Sequence, residues 1–356
     1  MEQVVRVQQV VFTSQRQVEL QEASLDPGLA PHEVLVRARY SIVSPGTEGA
    51  GCTGLVDEMP VMRERMGSGR GAPRYPQGTG YGHLGEALAV GDAVEGVKVG
   101  DTVVSFARHA SLAKVDTSRF CLPVPPHLGL DDRRAVFARM AAVAASALRT
   151  ATVSPGDKVL VIGLGLVGNF AAQLFRLAGA DVLATDTIDS RRAIAAACGI
   201  TRTANPATDD LTARVLEWTD GAGADITVEA IGRSELIAEA VELTRRYGEV
   251  VLLGSPRARA TFDVTPMLTR IHFMGITIKG SLEWLYPTPE TEGLKHSVTR
   301  NCRDILGWIA SERVLVDPLR THLLPPERCA EAYEGLMEHK DHYLGVVFDW
   351  TGSQGV

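Results

Sequence analysis

The chain has 356 residues, and at about 150 residues per domain this length predicts two domains. Hydrophobic residues make up 45% and charged residues 22%, which is typical of globular proteins and excludes a disordered chain. The formal net charge is -7 and no basic stripe is present, so we expect no nucleic-acid partner. Uncharged apolar runs stay well below the length of about 18 residues that a membrane span needs, so we expect a cytoplasmic protein without a membrane partner.

The five cysteines are widely separated, which excludes a zinc ribbon, a CxxC redox pair and a dense disulfide framework. They are Cys52, Cys121, Cys198, Cys302 and Cys329. The densest basic stretch is a glycine-rich segment that carries Arg63, Arg65, Arg70 and Arg74. We interpret it as a solvated loop, or alternatively as a lid over an anionic ligand.

The first part of the chain is predicted to be β structure, because short alternating apolar segments are separated by Gly and Pro turns at 26–28, 44–46 and 99–101. The predicted strands are residues 4–12, 33–40, 84–90, 102–105 and 111–114. Segments of this length and spacing favour a small barrel or sandwich.

The pattern changes near residue 131, where an alanine-rich segment without Gly or Pro predicts a helix over 131–150. Strands and helices then alternate, which predicts a doubly wound parallel sheet. The predicted strands are 158–162, 181–185, 225–229, 249–253 and 276–278; the predicted helices are 167–178, 190–198, 211–219 and 234–247. The tail is predicted to form helices over 296–310 and 326–338 and a strand over 344–348.

A glycine motif follows the first strand of this sheet and precedes an apolar helix. It reads Gly163-Leu164-Gly165-Leu166-Val167-Gly168. In a dinucleotide site the first glycine makes a tight turn, the second admits the pyrophosphate, and the third lets the helix pack on the strand. Leu166 and Val167 would open the helix whose N–H groups face the phosphates. The alternative is a buried turn without a ligand.

An acidic residue, Asp186, stands at the end of the second strand of this sheet. A carboxylate there accepts hydrogen bonds from the ribose hydroxyls and repels a 2′-phosphate, so we expect NAD rather than NADP. Arg191 and Arg192 follow closely and could instead hold a 2′-phosphate. Alternatively, Asp186 merely caps the next helix.

These residues and several later motifs resemble the medium-chain dehydrogenase/reductase superfamily over nearly the whole chain. The resemblance implies a chaperonin-10-like β-barrel catalytic domain over 1–146 and 281–356, a Rossmann dinucleotide-binding domain over 147–280, and a homodimer. It adds Gly232 and Gly254 to the cofactor-binding residues. The matching segments are 91–101, 154–157, 223–232, 248–254, 277–281 and 317–322.

The family's catalytic zinc ligands are replaced in this chain. Pro45 stands where the first Cys ligand is expected, Tyr81 where the His is expected, and Arg139 near the third position. Pro cannot ligate, and neither Tyr nor Arg is a normal zinc ligand, so we expect no zinc. A displaced site would need His83, Glu48 and Cys52, in a spacing that fits no standard pattern. The run Ser41-Ile-Val-Ser-Pro-Gly-Thr-Glu48 resembles the zinc-free branch that includes bacteriochlorophyllide-dehydrogenase-like proteins.

Side chains must then supply the acid–base chemistry that the metal would support. Thr47 matches the family's proton-relay hydroxyl, Tyr81 could donate to a carbonyl oxygen, and Arg139 could support Tyr81 or bind a substrate anion. Glu48 or His83 could accept a proton. Each also has a purely structural interpretation. Thr47 would hydrogen-bond its own loop, Tyr81 would be a packed aromatic, and Arg139 would face solvent on a helix. Glu48 would form a salt bridge, and His83 would occupy a barrel turn.

The sequence thus predicts an NAD-dependent, zinc-independent oxidoreductase that interconverts a secondary alcohol and a ketone on a polar or cyclic small molecule. The nicotinamide is expected near Thr47 and Tyr81. A quinone- or enoyl-reductase activity that reduces a conjugated C=C is one alternative. A non-catalytic nucleotide-binding protein is another.

Overall fold

The computed structural model describes residues 4–55 and 75–352. The basic segment from Arg63 to Arg74 lies outside these residues. The chain divides into two compact units: 1–140, 286–312 and 320–356 form the first, and 141–285 with 313–319 the second. The ranges expected from the sequence assigned 281–356 wholly to the first unit. No described helix is both long enough and apolar enough to cross a membrane.

The first unit is built on antiparallel and mixed sheets. One sheet has the order β2-β1-β4, and the other has the order β15-β16-β3-β5-β6-β8, with β7 also paired to β3. Its strands are β1 (Val5–Ser14), β2 (Gln17–Leu25), β3 (Glu33–Ile42), β4 (Gln77–Gly78), β5 (His83–Val90), β6 (Thr102–Ser105), β7 (Leu112–Asp116), β8 (Cys121–Pro123), β15 (Arg320–Leu324) and β16 (Gly345–Asp349).

The second unit contains one parallel sheet in the order β11-β10-β9-β12-β13-β14. Its central strands are continuous apolar runs, as expected where helices cover both faces. The strands are β9 (Lys158–Ile162), β10 (Asp181–Thr185), β11 (Thr203–Ala204), β12 (Ala224–Glu229), β13 (Thr244–Leu252) and β14 (Thr277–Gly280).

The described helices fall between these strands and in the tail. They are α1 (Pro45–Thr53), α2 (Asp132–Ala135), α3 (Ala138–Thr150), α4 (Leu166–Leu177), α5 (Asp189–Ala197), α6 (Leu211–Trp218), α7 (Ser234–Leu243), α8 (Thr265–Met274), α9 (Val298–Ala310) and α10 (Cys329–Glu338). The predicted fold class, a β-rich unit plus a Rossmann-type parallel-sheet unit, is confirmed.

Two predicted helices are wrong in detail. The helix expected over 131–150 is interrupted, because the N–H of Phe137 donates to the carbonyl of Arg134 in a tighter turn between α2 and α3. The helix expected over 234–247 ends at Leu243. Thr244 pairs with Ala224 as the first residue of β13, so the strand begins earlier than predicted.

The segment around Ser44 and Pro45 was expected to be a turn, and it starts a helix instead. Pro45 occupies the first turn of α1, where the missing N–H is not needed and the fixed φ suits a helix. Gly54 ends α1 in the left-handed region, with φ 76. This short helix carries both Thr47 and Glu48, so it decides where two of the predicted site residues lie.

Candidate functional site

The glycine motif of the second unit has the shape that a dinucleotide turn requires. Gly163 follows β9 with φ 98, and α4 begins at Leu166, with Val167 next. A Cβ added at Gly168 would lie only 2.0 Å from the carbonyl oxygen of Gly163, so no other residue fits that position. A Cβ added at Gly165 would meet nothing within 4 Å. The turn therefore leaves open space before the helix N-terminus, as a pyrophosphate would need.

Asp186 lies beside this turn and is nearly buried. Its Oδ2 accepts the N–H of Leu164 at 2.9 Å, and its Oδ1 accepts the N–H of Ile188 at 2.9 Å. Arg191 lies 3.6 Å from the carboxylate, and the guanidinium of Arg192 donates to the carbonyl of Asp186. Each carboxylate oxygen keeps a second lone pair, so the group can still accept a ribose hydroxyl.

The remaining predicted cofactor residues, Gly232 and Gly254, lie backbone to backbone. A Cβ on Gly254 would fall 2.2 Å from the nitrogen of Gly232, and a Cβ on Gly232 would fall 2.4 Å from the carbonyl oxygen of Ser255, so both positions need glycine. The buried carboxylate of Glu229, at the end of β12, accepts the N–H groups of Ile231 and Gly232. Burial raises the pKa of Glu229, although these N–H groups oppose the shift. Ile231 in turn touches the turn at Gly163.

Tyr81 and Arg139 come together in the first unit. The guanidinium carbon of Arg139 lies 4.9 Å from the ring centroid of Tyr81 and 4.6 Å from that of Phe106. Arg139 is completely buried, so it is not the solvent-facing residue that the sequence left as an alternative. Tyr81 is half-buried, and its hydroxyl lies 2.6 Å from the hydroxyl of Ser44.

The glycines on either side of Tyr81 bring its backbone against its neighbours. Gly80 has φ 99, and a Cβ there would lie 2.7 Å from the ring of His109. A Cβ on Gly82 would lie 2.7 Å from Ile42 and 3.4 Å from Arg139. The sequence Gly-Tyr-Gly thus allows the close approach that places the tyrosine on the arginine.

Glu48 is the centre of a buried hydrogen-bond network. Its Oε1 accepts the N–H of Ser44 at 2.7 Å. Its Oε2 accepts from His109 at 3.0 Å, from Thr79 at 2.8 Å and from the hydroxyl of Tyr333. Burial alone would raise the pKa of Glu48, but its interactions with His109 and the other donors outweigh burial and lower it. The carboxylate is therefore held ionised, with donors on both oxygens.

The network continues from His109 to the C-terminal end of the described chain. Nδ1 of His109 lies 2.8 Å from the hydroxyl of Ser41, which accepts the indole N–H of Trp350 at 2.8 Å. Because a carboxylate can only accept, Nε2 of His109 carries the proton donated to Glu48, while Nδ1 faces the hydroxyl of Ser41.

His83 is fully buried on β5, and its Nδ1 lies 3.4 Å from the hydroxyl of Ser105. Burial, with the neighbouring His109, lowers the pKa of His83 to about 3. Its Nε2 has no hydrogen-bond partner among the described residues. Thr47, half-buried, follows Pro45 on α1 in the same unit.

The side chains at the expected zinc positions do not fit that metal. Pro45 has no donor atom, and Tyr81 and Arg139 contact each other instead of facing a common point as ligands would. The displaced set is also unsuitable, because Glu48 is engaged by four donors and Cys52 is buried in an apolar cluster. Among residues 4–55 and 75–352, His, Cys, Asp and Glu side chains nowhere gather in a group of three that could hold a metal.

Sequence reasoning missed several members of the site, among them Ser44 and Tyr333. Ser44 was interpreted as part of a turn, and Tyr333 was not singled out because it lies 285 positions from Glu48. A signal for Ser44 was available: a serine followed by Pro and, four residues on, by Glu is a plausible helix start. Tyr333 had no local signal.

Comparison with known proteins gives the family. The zinc-binding dehydrogenase family model matches residues 167–291. The chain is 30% identical over 286 residues to L-threonine 3-dehydrogenase of Caldanaerobacter subterraneus, covering 71% of this chain and 77% of the relative. The chain belongs to the medium-chain dehydrogenase/reductase superfamily. Within it, D-guloside 3-dehydrogenase of Shigella flexneri is 27% identical over 359 residues, covering 96% of this chain and 100% of that relative.

Among solved structures, a short chain alcohol dehydrogenase of Escherichia coli CFT073 complexed with NADH has a TM-score of 0.78 at 18% identity. The alignment covers 97% of this chain and 99% of that one. At this identity the likeness concerns the fold alone. The superfamily membership and the dinucleotide turn together support an alcohol-type oxidoreductase with a nicotinamide cofactor and a small-molecule substrate.

Proposed function

We propose that the protein is an NAD-preferring, zinc-independent dehydrogenase that interconverts a secondary alcohol and a ketone on a polar, polyhydroxylated or cyclic small molecule. The observation that carries the proposal is the pairing of Tyr81 with the buried Arg139 at positions where the superfamily is expected to bind zinc. The relatives named for threonine and a guloside support a hydroxyl-bearing substrate.

The dinucleotide would be held by the second unit. The turn from Gly163 to Gly168 and the N-terminus of α4 would take the pyrophosphate, and Asp186 the ribose hydroxyls. The carboxylate of Asp186 would repel a 2′-phosphate, which favours NAD, although Arg191 lies beside it. When bound, the nicotinamide accepts or donates the hydride.

The acid–base work would fall to Tyr81. A buried cation against its ring stabilises the phenolate, which can take the hydroxyl proton of the alcohol at Oη. In the reverse direction the phenol would return that proton to the carbonyl oxygen. Thr47 would supply a relay hydroxyl. Both carboxylate oxygens of Glu48 already accept hydrogen bonds, and His83 is buried with a lowered pKa. These two residues would therefore hold neighbouring side chains in position rather than transfer protons.

The proposal includes a homodimer and a cytoplasmic location. β14 is the terminal strand of the parallel sheet order, and the superfamily resemblance suggests pairing of such edges. Light scattering on the eluting protein would measure the dimer mass. The widely spaced cysteines give no disulfide framework, as is usual in a reducing compartment, and cell fractionation tests the location.

The test is turnover by chelator-treated enzyme with NAD or NADP, on a panel that includes a D-guloside, simple cyclic polyols and L-threonine. We expect NADH formation without added metal, and a loss of 10²-fold or more in kcat, roughly, for Tyr81→Phe. Stoichiometric zinc together with loss of activity on chelation would refute zinc independence. Tighter binding of NADPH would refute the cofactor preference.

The same panel separates the two alternative activities. Reduction of an enone or quinone without alcohol oxidation would favour the C=C reductase. Binding of NAD without any turnover, unchanged in the combined Tyr81→Phe and Thr47→Val variant, would favour a non-catalytic protein.

A further inference from the structure

The hydroxyl of Ser44 does not cap α1, although Ser44 occupies the N-cap position of that helix. Ser44 is the N-cap residue of α1, where a serine usually accepts a backbone N–H of the first helical turn. Its side chain makes no such bond. The hydroxyl lies instead 2.6 Å from the hydroxyl of Tyr81. A capping residue has therefore turned its side chain to the proposed acid–base group.

The backbone of Ser44 is fixed by the buried carboxylate. The N–H of Ser44 donates to Glu48 at 2.7 Å, and the N–H of Glu48 donates to the carbonyl of Ser44 at 3.0 Å. The other carboxylate oxygen is fixed by His109, Thr79 and Tyr333. Any rotation of the carboxylate would leave buried donors unsatisfied, which is costly. The network thus holds Ser44 in the position from which its hydroxyl reaches Tyr81.

The charges around Tyr81 favour one direction for this hydrogen bond. Arg139 on α3 places a buried cation against the ring, which favours the phenolate. On β5, His83 is neutral over the ordinary pH range, since its pKa is about 3. Glu48 on α1 carries an anion, but its oxygens are occupied by donors, one of them His109 from the segment before β7. A phenolate at Tyr81 would draw the hydrogen of Ser44 toward it.

We propose that Ser44 is a positioning residue for Tyr81, whose hydroxyl donates to the phenolate oxygen and accepts from the phenol once the proton has moved. This rests on the proposed function, because it adds a second group to the proposed acid–base site. In alcohol oxidation the substrate O–H bond breaks and the Tyr81 Oη–H bond forms. The electron pair of the carbinol C–H bond leaves as hydride to the bound nicotinamide dinucleotide, and Ser44 keeps its own proton throughout.

The test is an ultraviolet difference titration of the Tyr81 phenol, taken between each protein and its Tyr81→Phe counterpart. Ser44→Ala removes the donor, so the midpoint should rise by about one pH unit, a tenfold change in the proton equilibrium. Ser44→Thr keeps a hydroxyl and should restore the original midpoint. Ser105→Ala, which removes a buried serine hydroxyl that contacts His83, is the matched control.

Folding and function are separated by two further readouts. Because Ser44→Ala loses one hydrogen bond and no helix cap, it should lower the melting temperature by no more than about 2–4 °C, and the pH profile of kcat should move with the titration. An unchanged midpoint in Ser44→Ala, or failure of Ser44→Thr to restore it, overturns the inference. The titration needs no substrate, so absence of dehydrogenase turnover would refute the proposed function and leave the titration result standing.

Discussion

Replacing Glu48 tests whether the buried network holds the first unit together. Glutamine keeps the size of the side chain but offers one acceptor oxygen and one NH₂ group. The best amide orientation puts the oxygen toward His109, Thr79 and Tyr333. The NH₂ group must then face the N–H of Ser44, which the carboxylate accepts at 2.7 Å. Glu48→Gln therefore loses one charge-assisted hydrogen bond and sets two donors against each other.

The magnitude follows from these losses. A hydrogen bond to a charged group contributes about 1.5–3 kcal/mol, and leaving a buried donor unsatisfied costs a similar amount. We expect Glu48→Gln to lower the free energy of unfolding of the first unit by about 3 kcal/mol. Glu48→Ala also leaves the other donors unsatisfied and should cost about 3–5 kcal/mol. At about 2–4 °C per kcal/mol, the glutamine variant should melt roughly 6–12 °C lower.

The dependence on pH gives an independent check with a definite sign. The pKa of Glu48 is lowered in the folded state, so its contribution is complete above the ordinary carboxyl pKa. That contribution is lost as the pH falls through the lowered value. The stability difference between wild type and Glu48→Gln should therefore be largest near neutral pH and shrink in acid.

Thermal and urea unfolding followed by tryptophan fluorescence measures this difference, since Trp350 belongs to the network through Ser41. Glu95→Gln, at an exposed position, is the matched control and should change nothing. If Glu48→Gln matched the wild type in stability at neutral pH, the account of a saturated buried carboxylate would be refuted.

Three further predictions concern the dinucleotide turn and the buried histidine. Gly168→Ala should weaken both folding and NAD binding. Gly165→Ala should keep the melting temperature and lower NAD affinity at least about tenfold, because the added Cβ fills space that is otherwise open. Calorimetry measures both the melting temperature and the affinity, with Gly307→Ala as control. Asp186→Asn should narrow the preference for NAD over NADP in a binding titration, and an unchanged ratio would contradict the role of its charge. The imidazole NMR signals of His83 should not titrate between pH 5 and 8, since its pKa is about 3, and a midpoint in that range would contradict its burial.

The parallel-sheet unit was the most predictable part of the chain. β9 and β10 have the predicted bounds, since strands buried on both faces are continuous apolar runs with turns at either end. The boundary at Thr244 was not predictable in the same way. Its hydroxyl bonds to the carbonyl of Ala240 and to Thr227, and β pairing begins there while the sequence still reads as a helix.

The candidate acid–base site was only partly predictable. The sequence identifies Tyr81 and Arg139 as candidates, because they stand at expected zinc-ligand positions and neither is a normal zinc ligand. That Arg139 is buried against Tyr81 depends on the close approach at Gly82, where a Cβ would lie 3.4 Å from the Arg139 side chain. The sequence pattern predicts how exposed an arginine on a helix should be, but it does not show which residues from other parts of the chain contact that arginine.

The polar groups of the first unit form one connected arrangement around α1. A glutamate on α1 would be an expensive buried anion unless several donors met it, and the donors come from segments far apart in the chain: Thr79, His109 and Tyr333. The same carboxylate holds the N-terminus of α1, which frees the Ser44 hydroxyl for Tyr81. In the proposed mechanism Tyr81 uses both groups that this arrangement places against it: the buried guanidinium of Arg139 at its ring and the Ser44 hydroxyl at its oxygen.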